Sequence, residues 1–262
     1  PEMVSENSEL YRAHPDWAMR IPGRKPIRGR NQLMLDFSRE DVRGFIFERI
    51  CDILDQGNIE YVKWDMNRSI AEVYSAVNYP GRVAYDYMLG VYDFLEKLLS
   101  RYPNLFIEGC SGGGGRFDAG MLYYTPQIWC SDNTDAVDRL RIQYGTSFFY
   151  PISAVGSHVS ASPNHQTGRC TSLHTRGVVA MAGTFGYELA TDNLTQEEKE
   201  EIKKQVVQYK KYENLIQNGI YYRLSNPFQD ACAAWMFAAK DKKTALLNVV
   251  LLENHGNMTI TY

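Results

Sequence analysis

Between Gln32 and Asn218 the chain alternates short apolar runs with helical segments, an order that calls for a parallel sheet with crossover helices. Leu33–Phe37 reads as a strand, and Ser38-Arg39-Glu40-Asp41 then supplies an N-cap with an acidic first turn. Val42, Phe45, Ile46, Ile50, Ile53 and Leu54 recur at helical spacing, with Gly57 as the stop. The rhythm continues through strand 59–66, helix 83–100 ending before Pro103, strands 105–110 and 126–131, helix 135–145, strand 152–159, helix 171–182, strand 184–189 and the charged helix 195–217. An open doubly wound sheet and a closed (β/α)8 TIM barrel both fit this α/β order. The polar strand ends Lys63/Asp65, Glu108/Cys110, Ser131/Asp132, Ser157/His158 and Tyr187/Glu188 favour the barrel, which gathers such ends on one face. Six strands precede helix 195–217 where a barrel needs eight, so residues 1–218 are read as a partial barrel whose first strands lie upstream of Pro1. After Gly219 the runs Ile220–Arg223, Ala233–Phe237 and Thr244–Val250 follow without helices, and residues 219–262 are read as the beginning of an antiparallel β domain.

Two strand ends deliver a carboxylate. Tyr61-Val62-Lys63-Trp64-Asp65-Met66-Asn67-Arg68 is an apolar run that stops at Asp65, and Pro126-Gln127-Ile128-Trp129-Cys130-Ser131-Asp132 does the same with Asp132. Glycosidic-bond cleavage commonly uses such a pair, one acid attacking or activating water and the other shuttling a proton. The competing reading is that both are ordinary loop acids. Lys63 lies two residues before Asp65 and so shares its face of a strand, where it can bind substrate hydroxyls and keep Asp65 ionised. A surface ion pair is the alternative for Lys63. The run Cys110-Ser111-Gly112-Gly113-Gly114-Gly115-Arg116 lets backbone amides approach a ligand, with Arg116 anchoring the loop through a carboxylate. It lacks the endings and spacing of phosphate-binding loops. In Ser131-Asp132-Asn133-Thr134-Asp135, Asp135 or Thr134 is placed to cap the next helix, which frees Asp132 for chemistry. His158 and His165 fall in a polar loop from Gly156 to Arg169.

Hydrophobic residues make up 44% of the chain, and the net charge of −3 gives no electrostatic case for a nucleic acid or an anionic membrane. No apolar window approaches the roughly 20 residues of a membrane span, and the first residues lack the features of a signal peptide. Cys51, Cys110, Cys130, Cys170 and Cys232 are scattered and form no C-x-x-C pair, which fits a reducing, cytoplasmic setting. His14, His158, His165, His174 and His255 form no metal-binding set, and neither a metal nor another cofactor is expected. The 18 tyrosines and 4 tryptophans suit a carbohydrate site as well as they suit a packed core.

Lys63-Trp64-Asp65-Met66-Asn67-Arg68, the Cys110-Ser111 turn with its glycines and Arg116-Phe117-Asp118, Ser131-Asp132-Asn133-Thr134-Asp135, and Gly183-Thr184-Phe185-Gly186-Tyr187-Glu188 resemble the α-galactosidases of glycoside hydrolase family 36. Pro1–Val4, His14-Pro15-Asp16-Trp17 and Gly29-Arg30-Asn31-Gln32 extend the likeness along nearly the whole chain. The resemblance implies retaining hydrolysis of terminal α-linked galactose from sugars such as melibiose or raffinose-type oligosaccharides. Asp65 would be the nucleophile and Asp132 the acid/base, with Lys63, Arg30, Cys110, Ser111 and Gly112 contacting the galactose. Retention requires the two carboxyl groups about 5–5.5 Å apart. The resemblance also implies a homo-oligomeric full-length protein. It further implies N-terminal and C-terminal β domains and early barrel strands beyond this chain, so the sugar pocket is expected to be incomplete here. A galactosyltransferase of the raffinose-synthase type and an α-N-acetylgalactosaminidase remain open. From another class, so does a non-catalytic carbohydrate-binding domain.

Overall fold

The protein is described by a computed structural model over residues 2–253. It is mixed α/β and divides into two compact units, residues 1–128 and 129–262. In the first unit β1 (Met3–Ser5), α1 (Glu9–Ala13), β2 (Gln32–Met34), α2 (Glu40–Asp55), β3 (Tyr61–Asp65), α3 (Val83–Arg101), β4 (Phe106–Cys110), α4 (Ala119–Tyr124) and β5 (Gln127–Ile128) follow in order. β3, β4 and β5 form a parallel sheet in that order. The alternation expected from the sequence is therefore present.

Several details differ from that expectation. The strand expected over 126–131 is present only as Gln127–Ile128, so Asp132 lies in the loop beyond it and not at a strand end. The strand expected at Leu33–Phe37 is shorter and pairs antiparallel with β1, Val4 opposite Leu33, because the backbone beyond Met34 bonds to residues 2 and 17 instead. The expected Ser38 cap is absent: Arg39 stands at the N-cap of α2 without a side-chain bond, while the Ser38 hydroxyl donates to Asp36. α4, capped by Asp118, was not anticipated, and at six residues it is too short to show a helical period.

α3 carries the longest buried stripe, Val83, Tyr87, Val91, Phe94, Leu95 and Leu98, and ends at Arg101, with Tyr102, the residue before Pro103, as its C-cap. Its fit requires Gly90, where a Cβ would lie 1.9 Å from the Phe37 carbonyl oxygen. Trp64 from β3 packs on Phe94 in this core, ring centroids 5.2 Å apart.

The second unit contains α5 (Ala136–Thr146), β6 (Gly156–Ser160), α6 (Leu173–Ala180), β7 (Thr184–Glu188), α7 (Gln196–Asn218), β8 (Ile220–Arg223), β9 (Cys232–Ala238) and β10 (Ala245–Leu251). β6 and β7 are parallel, whereas β8, β9 and β10 form an antiparallel sheet with β9 in the middle. Val159, Leu173 and Ala180 pack with Phe185, Tyr187 and Ile202. α7 opens on a complete capping box, the Thr195 hydroxyl on the Glu198 amide and the Glu198 carboxylate on the Thr195 amide. Of the segment 219–262, residues 254–262 lie outside the described residues.

A single buried charge ties the first unit together. Glu2, fully inaccessible, accepts hydrogen bonds from Trp64 Nε1 (2.6 Å), the Tyr87 hydroxyl, and both terminal nitrogens of Arg116 (2.8 and 2.9 Å). Four donors on two oxygens fill the carboxylate's capacity. Burial alone would raise its pKa, but the Arg116 charge and the bonds from Arg116, Tyr87 and Trp64 outweigh this and hold it below the ordinary value. Its stabilising contribution is thus complete above the unfolded-chain value of about 4.3 and is lost as pH falls through the lower folded value. Glu2→Gln leaves the buried Arg116 guanidinium without its hydrogen-bonded counter-charge, Asp118 acting on it only through its charge. Chemical denaturation at pH 7 should show a loss of about 3–5 kcal/mol, and the deficit should shrink as the wild type is titrated into that acid range.

Candidate active site

The parallel register of β3 and β4 sets Lys63 opposite Glu108 and Asp65 opposite Cys110, so Asp65 and Cys110 stand side by side at the C-terminal edge. Asp65 Oδ2 accepts from Asn67 Nδ2 at 2.6 Å, whereas Oδ1 is inaccessible and has no nitrogen or hydroxyl donor among the described residues, the Cys110 thiol being the group that bonds to this carboxylate from the neighbouring strand. A buried carboxylate oxygen without a full set of donors costs about 1–3 kcal/mol; Asp36 Oδ2 is in the same state, so it is the place of Asp65 at the strand end that makes it a candidate. Beside it, burial pushes the Cys110 thiol up to about 11, with the Asp65 charge adding to the shift and the Gly113 amide and Lys63 opposing it. The thiol is therefore protonated at neutral pH.

Lys63 makes an ion pair, with its Nζ 3.5 Å from Glu108 Oε1. Glu108 is 1% exposed and also accepts from the Tyr61 hydroxyl (2.7 Å) and from Gln127 Nε2. The sequence placed Lys63 and Asp65 on one face but did not reveal which carboxylate the neighbouring strand would set against the lysine. Glu108 was visible only as a polar strand end. Its positioning role is set by register, which no local pattern encodes.

The glycine loop closes on itself and on β3. The Ser111 hydroxyl donates to the Met66 carbonyl (2.6 Å), the Met66 amide donates to the Cys110 carbonyl (3.0 Å), and the Ser111 amide donates to the Gly113 carbonyl (2.9 Å). Gly112 and Gly113 have φ of 55° and 82°, a region that a side chain disfavours. Arg116 is anchored on a carboxylate as expected, and the carboxylate is Glu2.

Arg30 is exposed at the tip of a tight turn between Gly29 and Gln32, with φ of 49°. Its connection to the strand end runs through Arg68, which donates to the Gln32 carbonyl at 2.6 Å. Lys63, Asp65, Cys110, Ser111 and Gly112 are thus brought together in the first unit.

Asp132 belongs to the second unit. It is half-buried, and its carboxylate makes no hydrogen bond or ion pair among the described residues. The loop around it is fixed on both sides: Ser131 Oγ accepts from the Asn133 amide, Asn133 Oδ1 from the Asp135 amide, and Asn133 Nδ2 donates to Asp138. Asp135 caps α5 through the amides of Val137 and Asp138 and is paired with Arg169, which leaves Asp132 uncommitted as the spacing suggested. Burial opposes ionisation of Asp135, but the Asp138 amide, Thr167 and Arg169 together bring its pKa below the ordinary value.

His158 is on β6, as the expected strand over 152–159 and the polar strand end Ser157/His158 implied, and its ring lies 4.7 Å from that of Trp129. His165 is exposed in the loop. Among the described residues no cluster of His, Cys, Asp and Glu is arranged to hold a metal ion, and no helix is long and apolar enough to cross a membrane.

Residues 1–219 match the family model described as Melibiase. Over its full length the chain is 65% identical to the bifunctional α-galactosidase/sucrose kinase AgaSK of Mediterraneibacter gnavus, covering 28% of that protein. It is 55% identical to the α-galactosidase AgaA of Geobacillus stearothermophilus, again over all of this chain and 36% of the other. A variant of AgaA solved in complex with raffinose superposes with a TM-score of 0.97 at 54% identity, over the whole of this chain and 37% of that one. The chain therefore spans roughly a third of the length of these relatives.

The arrangement around Asp132 depends on its capping neighbour. Asp135→Ala removes two amide bonds and the Arg169 pair and should cost about 2 kcal/mol in denaturant unfolding, whereas Asp135→Asn keeps the cap and should cost less.

Proposed function

The chain belongs to the Melibiase family, and we propose that the protein containing it is a retaining α-galactosidase with Asp65 as nucleophile and Asp132 as acid/base. The observation that carries this assignment is the state of Asp65, with one oxygen oriented by Asn67 and the other buried without a nitrogen or hydroxyl donor among the described residues. An attacking oxygen has to be oriented and stripped of water without a hydrogen bond that occupies the reacting lone pair. A proton shuttle has the opposite need. Asp132, half-buried and uncommitted in a fixed loop, suits a group that must reach both a leaving oxygen and a water.

In this mechanism Asp65 attacks the anomeric carbon of a terminal α-linked galactose as the bond to the leaving oxygen breaks, and Asp132 gives its proton to that oxygen. The product is a β-linked galactosyl ester. Asp132, now ionised, takes a proton from water while the water oxygen attacks the same carbon and expels the Asp65 carboxylate. Two inversions return the α configuration. Lys63, Arg30 and the Cys110-Ser111-Gly112 turn contact the galactosyl group. Raffinose and stachyose, bound in solved structures of AgaA variants, indicate the class of oligosaccharide.

The same reading makes residues 1–218 part of a (β/α)8 barrel and residues from 219 the start of an antiparallel β domain. It is supported by the strand–helix alternation, the parallel pairs among β3, β4 and β5 and between β6 and β7, and the helix-free run from β8 to β10. Reactive groups at the C-terminal ends of parallel strands are the usual disposition in such barrels.

Mechanism-based labelling tests the assignment. A fluorinated galactosyl donor incubated with the full-length protein should modify the peptide carrying Asp65, and a label on any other residue would overturn the nucleophile. Asp65→Asn should lower kcat by about 10³-fold or more. Asp132→Asn should slow raffinose cleavage by about 10²–10⁴-fold but nitrophenyl galactoside cleavage far less, since nitrophenolate departs without a proton.

A further inference from the structure

We propose that Arg68 and Glu72 are positioning residues for Arg30, together clamping the backbone on both sides of the turn that presents it. Arg30 and Asn31 occupy the two central positions of a hairpin turn closed by reciprocal bonds between Gly29 and Gln32, 3.1 and 2.9 Å. Both have left-handed φ, 49° and 59°. Such turns are usually filled by Asn-Gly or Gly-Gly, because a Cβ in this region is unfavourable. An Arg-Asn pair needs support from outside the turn.

Arg68 supplies it at both feet. Its guanidinium donates to the Gln32 carbonyl at 2.6 Å and to the Ile27 carbonyl at 2.9 Å. Its aliphatic stem crosses Gly29, where a Cβ would come within 3.1 Å of Arg68 Cβ, so the glycine allows the clamp to close. Glu72, 5% exposed, accepts from the Ile21 amide (3.2 Å) and the Ile27 amide (3.0 Å). The guanidinium and the carboxylate thus hold the two sides of the same residue, Ile27. Burial lowers the Arg68 pKa from its ordinary value and the Glu72 charge offsets part of that shift, as expected of two groups acting in one partly dehydrated cluster. Arg68 also lies three residues beyond Asp65 in the chain, so the turn is referred to the strand end that carries the nucleophile.

The inference rests on the reading that Arg30 contacts the galactosyl group, and a double-mutant cycle separates the two. In the full-length protein, kcat and KM for nitrophenyl α-galactoside are measured for Arg30→Ala, Arg68→Ala and the double variant. If Arg68 acts through Arg30, each single variant raises KM about tenfold or more with a smaller change in kcat, and the double variant is no worse than Arg30→Ala. If the KM effects multiply, or Arg68→Ala leaves KM unchanged, Arg68 does not position Arg30. If Arg30→Ala itself leaves KM unchanged, the contact it rests on is wrong, whatever labelling shows at Asp65. Arg68→Lys keeps the charge and the stem but cannot bridge both carbonyls. It should reproduce the rise in KM with little change in Tm, and wild-type KM in this variant overturns the clamp even if Arg68→Ala fails to fold.

Discussion

A carboxylate that water does not reach must find every hydrogen bond inside the protein, and Glu2 finds its donors on Trp64, Tyr87 and, 114 residues away, Arg116. That arrangement fixes more than a charge. Successive side chains of a strand point to opposite faces, so pinning the Trp64 indole into the core on Glu2 turns Asp65 the other way. Arg116 meanwhile ends the glycine loop that follows Cys110. The two strand ends flanking the candidate nucleophile are therefore both referred to one buried anion. Its desolvation is offset only because all four of its bonds are made.

The long helices were legible to within a few residues because each carries an amphipathic stripe that no other structure satisfies. Val83 to Leu98 in α3 is the clearest case. Short elements were not. β1 has three residues and α4 six, below the length at which either period declares itself, and β2 pairs with β1 through long-range backbone bonds invisible to a local pattern. The site shows the same division. Asp135 as the cap and Arg116 on a carboxylate could be read from spacing and residue type, because capping and ion pairing have local or generic requirements. The partner of Lys63 could not, since it depends on which residue of β4 the register sets across from it. Arg68 and Glu72 carried no signal because their bonds go to backbone groups of residues 21–32, and any residue type offers those.

Asp65, Glu108 and Glu2 are acids of one unit in three different states of satisfaction. Glu2 has four bonds, Glu108 has Tyr61, Gln127 and Lys63, and Asp65 has Asn67 on one oxygen and, among the described residues, no nitrogen or hydroxyl donor on the other. Left to itself the Asp65 side chain would rotate or the strand end would loosen to let water reach Oδ1, recovering about 1–3 kcal/mol. It is held because the backbone on either side is over-determined. Trp64 is tied to Glu2 and Met66 is 3% exposed in the core. The Met66 amide and carbonyl are both spent on the Cys110-Ser111 end of the neighbouring strand. This accounts for the contiguity of the Lys63–Arg68 run. Lys63 and Asp65 face the proposed chemistry, Trp64 and Met66 anchor them from behind, and Arg68 passes the same frame on to the turn at Arg30. Separating these roles in sequence would loosen each of them, since the rigidity of every reactive group is borrowed from its immediate neighbours.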